Sequence, residues 1–134
     1  MSDQLTPGVS ASLTWVVAER HCTRRGDHDI FSTPNLVHLI EDAAIAALAP
    51  YLTAEQGSVG SKVEIAHVAP TLKGGTVTAT ATVTATATVT EVDRRRVAFS
   101  VVAEDGNGKV GTGTHERFVI DLGRFAAKLK ELES

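Results

Sequence analysis

The sequence predicts an α+β fold in which an antiparallel sheet wraps around one long central helix. Three observations predict it. Residues 32–52, STPNLVHLIEDAAIAALAPYL, carry a helix start signal, a stop signal and apolar residues around most of the circumference. Residues 76–92, TVTATATVTATATVTEV, alternate strictly with period two, which a helix does not produce. Four separate strand-like segments follow the helix, and DGNG at residues 105–108 joins the last two as a hairpin.

The helix is the organising element. Ser32 or Thr33 caps it, because a hydroxyl oxygen accepts from the free backbone N–H groups of the first turn. Pro34 fits the first helical turn, where its missing N–H is no loss. Pro50 stops the helix near its far end. At about 100° per residue, Leu36, Ile40, Ala43 and Ala47 share one side, Val37, Ala44 and Leu48 continue it, and Ile45 and Leu52 carry it further round. Asn35, His38 and Asp42 form the one polar stripe. A helix apolar over that much of its surface belongs inside a wrapping sheet. Glu41 is the misfit, since it projects between Leu48 and Leu52. A carboxylate there is costly unless it is paired, protonated or used.

Composition bounds the rest. The 134 residues suit a single domain over 1–134 with one core. Hydrophobic residues at 43% and charged residues at 22% describe a globular chain rather than a disordered one. A net charge of −3 gives no footprint for nucleic acid. The single cysteine, Cys22, excludes an internal disulfide and a cysteine-rich zinc site. No apolar run is long enough for a membrane span, and the MSDQLTPG start has no signal-peptide pattern, so the expected location is the cytoplasm.

In chain order, residues 9–17 read as a first strand and residues 20–30, RHCTRRGDHDI, as a polar loop. The helix comes next, then a turn-rich connection over 53–60. Residues 62–68, KVEIAHV, read as a strand on which His67 shares a face with Val63 and Ile65. In the alternating strand over 76–92, Val77, Ala79, Ala81, Val83, Ala85, Ala87 and Val89 form the inner face. Their small size leaves room for the helix. DRRR at 93–96 turns the chain and gathers three positive charges. Strands over 97–104 and 109–122 follow, with Gly111 and Gly113 allowing a bulge or a close backbone approach. A short amphipathic helix over 124–132 ends the chain. Five antiparallel strands around one buried helix make a hotdog fold. Its open sheet edges predict a homodimer.

The segments FSTPNLVHLIEDAA, APYLTAEQGSVGSKVEIAHVAP and GKVGTGTHERFVIDLGRFAAKL resemble the hotdog acyl-CoA thioesterases of the fluoroacetyl-CoA thioesterase-like branch. Together they cover most of the chain from Phe31 onward. The resemblance implies hydrolysis of a small acyl-CoA to the free acid and coenzyme A, with coenzyme A entering only as part of the substrate and no other cofactor and no metal. It places the catalytic group on Thr33, Glu41 and His67, and a glycine that lets the thioester approach the backbone on Gly60. Thioester hydrolysis needs a base or nucleophile, a proton manager and donors for the developing oxyanion. Glu41 suits the first role, as base on water or by direct attack. His67 suits the second and Thr33 the third. Arg117 shares a face of the last strand with His115, and it either pairs with a buried carboxylate or contacts coenzyme A. Arg94 and Arg95 are candidates for the coenzyme A phosphates. A second class of function consistent with the fold is a non-catalytic protein that binds acyl-CoA or another small ligand. Members selective for the fluorinated acyl group carry aromatic residues just before the helix. Here that segment, residues 24–29, is RRGDHD, with only Phe31 nearby, which argues against such selectivity.

Overall fold

A computed structural model describes residues 1–88 and 95–133. Seven strands and two helices run in the order β1 (Ser10–Val16), β2 (Cys22–Arg25), β3 (His28–Phe31), α1 (Thr33–Leu48), β4 (Gln56–His67), β5 (Thr76–Thr88), β6 (Arg95–Asp105), β7 (Gly108–Asp121) and α2 (Leu122–Leu132). Five of the strands form one antiparallel sheet in the order β1-β5-β6-β7-β4. Its concave face holds α1, giving the expected hotdog architecture.

The packing follows from the two periodicities. On β5, Val77, Ala79, Ala81 and Val83 are all buried, and so are Leu36, Leu39, Ile40, Ala43, Ala44, Ala47 and Leu48 of α1. Alanine on both surfaces lets the helix axis lie close to the sheet. Thr78 and Thr80 of β5 face outward and pair across the strands, Thr78 with Thr14 at 2.6 Å and Thr80 with Ser12 at 2.7 Å. A bulge between Val83 and Ala85 breaks the alternation, and Thr86 Oγ1 is buried. Two glycines of β7 are required by contact. A Cβ on Gly111 would stand 2.8 Å from Leu36 Cδ2, and one on Gly113 would overlap the Glu64 carbonyl.

Three expectations change. The polar segment before the helix is not an irregular loop, since β2 and β3 pair as a small separate hairpin. Arg24 and Lys73 hold Asp29 of that hairpin at 3.2 and 3.5 Å. The connection after the helix is short, because β4 begins at Gln56 and not near Lys62. Pairing with β7 overrides the turn propensity of its glycines and serine. The helix itself ends at Leu48 and tightens into a 3-10 turn at Ala49–Tyr51, with Pro50 inside the turn. Arg94 and the rest of the β5–β6 connection lie outside the described residues, while Arg95 opens β6 with an exposed side chain.

Candidate active site

The adjacent hydroxyls at the start of α1 divide their work. Ser32 is the N-cap, and its Oγ accepts from the Asn35 backbone N–H at 3.4 Å and from Asn35 Nδ2 at 2.8 Å. Thr33 is thereby free for another partner. Its Oγ1 lies 2.8 Å from His67 Nδ1 at the end of β4. His67 Nε2 is buried and has no hydrogen-bond partner among the described residues. Phe31 meets the His67 ring edge-on, at 6.5 Å between centroids.

Two turns along the helix, Glu41 is paired. Arg117 Nη1 donates to Glu41 Oε2 at 3.1 Å. The Arg117 side chain is 5% exposed and that of Glu41 37%. Arg117 also donates from Nε to Ser58 Oγ at 2.9 Å and from Nη2 to the Ser58 carbonyl at 3.2 Å. Its second Nη1 proton goes to His115 Nε2 at 3.2 Å. Guanidinium only donates, so His115 Nε2 is the bare nitrogen and Nδ1–H donates to the Lys62 carbonyl at 2.7 Å. Burial lowers the proton affinity of His115, as does the Arg117 charge, which keeps the imidazole neutral in that tautomer. The same burial pulls Arg117 below its ordinary range, and the Glu41 carboxylate pulls it back. Four of the five guanidinium N–H groups are therefore committed inside the protein. Arg117 holds Glu41 in place and does not reach a solvent-borne coenzyme A phosphate.

Gly60 completes this cluster. A Cβ there would stand 2.8 Å from Glu41 Oε2, 3.2 Å from Arg117 Nη1 and 3.4 Å from His115 Cε1. Only a residue without a side chain leaves the Glu41 carboxylate accessible along the backbone of β4. A β-bulge between Gly60 and Lys62 matters as much. Gly60 and His67 are an odd number of residues apart, so a regular strand would point them to opposite faces. The bulge shifts the register so that Gly60 sits across from Arg117, Val63 from His115 and His67 from Gly111, with all three facing the helix.

The sequence-derived residues thus assemble as two groups rather than one. Thr33 and His67 form the first, and Glu41, Gly60 and Arg117 the second. Within one chain they are separated by about 12 Å along the helix and by about 20 Å along β4. Ser58 and His115 were not among the sequence candidates. His115 shares a face of the last strand with Arg117 in the GTGTHER segment, and that shared face was the available signal. Ser58 gave none, because its segment read as a turn. A small cavity of about 260 Å³, lined by Ile30, Val68, Ala69 and Pro70, opens beside His67.

Comparison with known proteins bears on this arrangement. A family model described as fluoroacetyl-CoA-specific thioesterase matches residues 14–122. The fluoroacetyl-CoA thioesterase of Streptantibioticus cattleyicolor is 41% identical over 103 residues, which cover 77% of this chain and 70% of that protein. A solved structure of a fluoroacetyl-CoA thioesterase superposes with a TM-score of 0.82 at 33% identity, over 96% of this chain and 98% of the other. A threonine-to-serine variant solved in complex with acetyl-CoA superposes equally well, at 0.82 and 32% identity, over 97% and 100%. A thioesterase superfamily member from Thermus thermophilus gives 0.83 at 25% identity, over 98% and 95%.

Proposed function

This chain belongs to the fluoroacetyl-CoA-specific thioesterase family, and we propose from that premise that it completes its active site by pairing with a second copy of itself. It is an acyl-CoA thioesterase, which cleaves the thioester to the free acid and coenzyme A. Coenzyme A is carried in as part of the substrate. We infer a short acyl group, by likeness to the relative solved in complex with acetyl-CoA. The hairpin before the helix is held by ion pairs at Asp29 and carries Phe31 as its one benzene ring, edge-on to His67, and we infer no dedicated fit for a fluorinated acyl group. No helix among the described residues is long and apolar enough to cross a membrane, and we place the enzyme in the cytoplasm with its acyl-CoA substrate.

The observation that carries the proposal is the placement of both half-sites on one open sheet edge. Strand β4 is an edge strand, and residues 60–64 are exposed. Counted by their partners on β7, a ladder that skips Ser61, Gly60 and His67 lie three positions to either side of Glu64, and both face the helix side. Antiparallel pairing of β4 with its copy about Glu64 sets Gly60 opposite the partner subunit's His67 and keeps helix-facing residues opposite helix-facing ones. It satisfies the free edge of both chains at once. Glu41 then meets the partner subunit's Thr33 and the partner subunit's His67 over one thioester. Two such sites form per homodimer.

Each group has a defined task. The Thr33 hydroxyl and the helix N-terminus polarise the thioester carbonyl and stabilise the oxyanion that develops there. Arg117 occupies Glu41 Oε2 and leaves Oε1 free. That oxygen either draws a proton from the attacking water or adds to the carbonyl itself, and the carbon–sulfur bond breaks as the tetrahedral centre collapses; direct attack leaves an anhydride that water then opens to the free acid and Glu41. The leaving thiolate takes a proton from His67, which regains it from the proton released by water. In single turnover in ¹⁸O-water, label in the Glu41 carboxylate with unlabelled product acid identifies direct attack with opening at the Glu41 carbonyl, and hydroxylamine trapping of the anhydride identifies direct attack whichever carbonyl water meets.

Subunit mixing tests the shared site. Glu41→Gln and His67→Ala homodimers each lack both sites, whereas their heterodimer carries one intact site. Random re-association should restore about a quarter of wild-type activity. A mixture that stays inactive, although exchange is verified by mass, would place all three groups in one chain.

A further inference from the structure

Phe31 packs against two histidines. One is His67, and the other is His21, at 6.4 Å between ring centroids. Beyond His21 lies a cavity of about 520 Å³, lined among others by Trp15, Arg20, His21, Asn35 and His38. It stands apart from Glu41 and Arg117, and the hydrolytic chemistry makes no use of it. Its size falls within the range of small-ligand sites.

The chemistry of the lining is specific. His21 is 7% exposed. Its Nδ1 accepts from the Ala18 backbone N–H at 3.0 Å, which puts the ring proton on Nε2. That N–H has no hydrogen bond among the described residues and belongs to a ring that forms the cavity wall. Trp15 stacks on the imidazole at 4.7 Å and 19°, and meets the His38 ring edge-on at 5.1 Å. Arg20 supplies a full positive charge. Asn35 lies in the first turn of α1, where the helix dipole favours an anion, though its Nδ2 donates to Ser32 Oγ, while His38 Nε2 faces the Asp42 carboxylate at 3.4 Å. By contrast, the cavities around Pro70–Gly75 and along Thr76, Thr78 and Thr80 are lined by Asp105, the latter also by Glu104, and by no cation. The chain as a whole is net negative, so a polyanion needs such a local gathering of donors to bind.

We propose that this cavity receives the nucleotide end of coenzyme A, with the base against Trp15 and a phosphate on Arg20 and the His21 Nε2–H. The proposal rests on the acyl-CoA reading, because it is the substrate that carries a thioester at one end and a phosphorylated adenosine at the other. Phe31 connects the two ends of the site, and the step from His67 to His21 is well within the span of a pantetheine arm. Arg20 then does for the phosphates what Arg117, buried on Glu41, does not.

Trp15 is the only tryptophan in the chain, so its fluorescence reports the cavity directly. Titrating adenosine 3′,5′-bisphosphate into the intact protein should quench it with saturation. Arg20→Ala should weaken that binding about tenfold, the scale of one charge-assisted hydrogen bond. His21→Gln and His21→Ala, both checked by thermal melt, should weaken it too. In turnover, the preference for acyl-CoA over the same acyl-pantetheine should fall about tenfold in Arg20→Ala. Thiol release by the wild type tests the parent reading separately. An enzyme that hydrolyses acyl-CoA, shows no quenching by the nucleotide and keeps its full preference for acyl-CoA in Arg20→Ala would overturn the proposal and leave the thioesterase standing. The same holds if Arg95→Ala, and not Arg20→Ala, erases that preference.

Discussion

The two half-sites on β4 differ in how completely the chain satisfies them. Around Glu41, each polar partner is in place: Arg117 is nearly fully buried, His115 is fully buried, and both have hydrogen bonds on every side that the geometry allows. Around Thr33, the hydroxyl is exposed and His67 keeps one buried nitrogen without a hydrogen bond among the described residues. Under the proposed mechanism, the difference separates an end completed by substrate and partner from an end set in advance. A base or nucleophile must be held in register before the substrate arrives, whereas the groups that follow the carbonyl and the leaving thiolate complete their bonds only with substrate bound.

The largest expected effect comes from disarming the preset end. Glu41→Gln keeps the shape and an acceptor for Arg117 but cannot take a proton or add to a carbonyl. It should lower kcat by roughly a hundredfold or more with only a small change in melting temperature. A Glu41→Gln protein with near-normal kcat and a lower melting temperature would reduce Glu41 to an ion-pair partner and dissolve the contrast between the two ends.

At the waiting end, Thr33→Ala should cost less than Glu41→Gln, about tenfold in kcat, because the backbone N–H donors of α1 remain. A loss as large as that of Glu41→Gln would promote Thr33 from carbonyl orientation to an indispensable role.

Next in size is the scaffold behind Glu41. Arg117→Lys replaces a planar fork by a point charge and cannot serve Ser58, Glu41 and His115 together. It should lower kcat several-fold and the melting temperature with it. His115→Ala should destabilise by about 1–3 kcal/mol, since the Lys62 carbonyl and one Arg117 N–H lose their partner. Denaturant melts give that figure. If kcat falls in His115→Ala while Glu41–Arg117 geometry is unchanged in a crystal, the imidazole does more than hold the guanidinium.

Stability should also depend on acid in a way that tracks the buried histidines. Burial lowers the proton affinity of both His115 and His21 relative to the ordinary histidine value of 6.5. The unfolded chain then binds protons that the folded chain refuses. Their contribution is complete above pH 6.5 and is lost as pH falls below it through the folded values. Asp29 and Asp105, both held below the ordinary value of 3.8, add a loss at still lower pH. Melting temperature measured from pH 7 downward should begin to fall below 6.5, and His115→Gln should flatten part of that first fall.

The smallest effect is expected from Arg94 and Arg95. Replacing both by Ala should raise KM by about twofold to threefold, more at low salt than at high, as for charges that steer a polyanion. A KM indifferent to salt and to both substitutions would leave phosphate recognition wholly to the cavity at Trp15.

Much of this protein was determined by neighbours in sequence. The cap at Ser32, the apolar arc of α1, the alternation of β5 as far as Val83 and the hairpin at residues 105–108 each depend on residues within a few positions, and each formed as the pattern predicts; beyond Val83 a bulge breaks the alternation, and Val89 lies outside the described residues. Glu41 stood out because it broke such a local pattern. Thr33, His67 and Gly60 came from family resemblance, which carries positions but not their grouping. Only the tertiary structure decided that grouping. The bulge next to Gly60 sets which way Gly60 and His67 face, and it arises from pairing with β7, more than fifty residues away. The burial that turns Arg117 from a phosphate contact into the clamp on Glu41 likewise depends on Ser58 and His115, brought in from two strands. Periodicity and capping are energies of adjacent residues, so a sequence displays them. Register, burial and the separation of Thr33 and His67 from Glu41, Gly60 and Arg117 are energies of contacts distant along the chain, and these exist only once the sheet has closed around the helix.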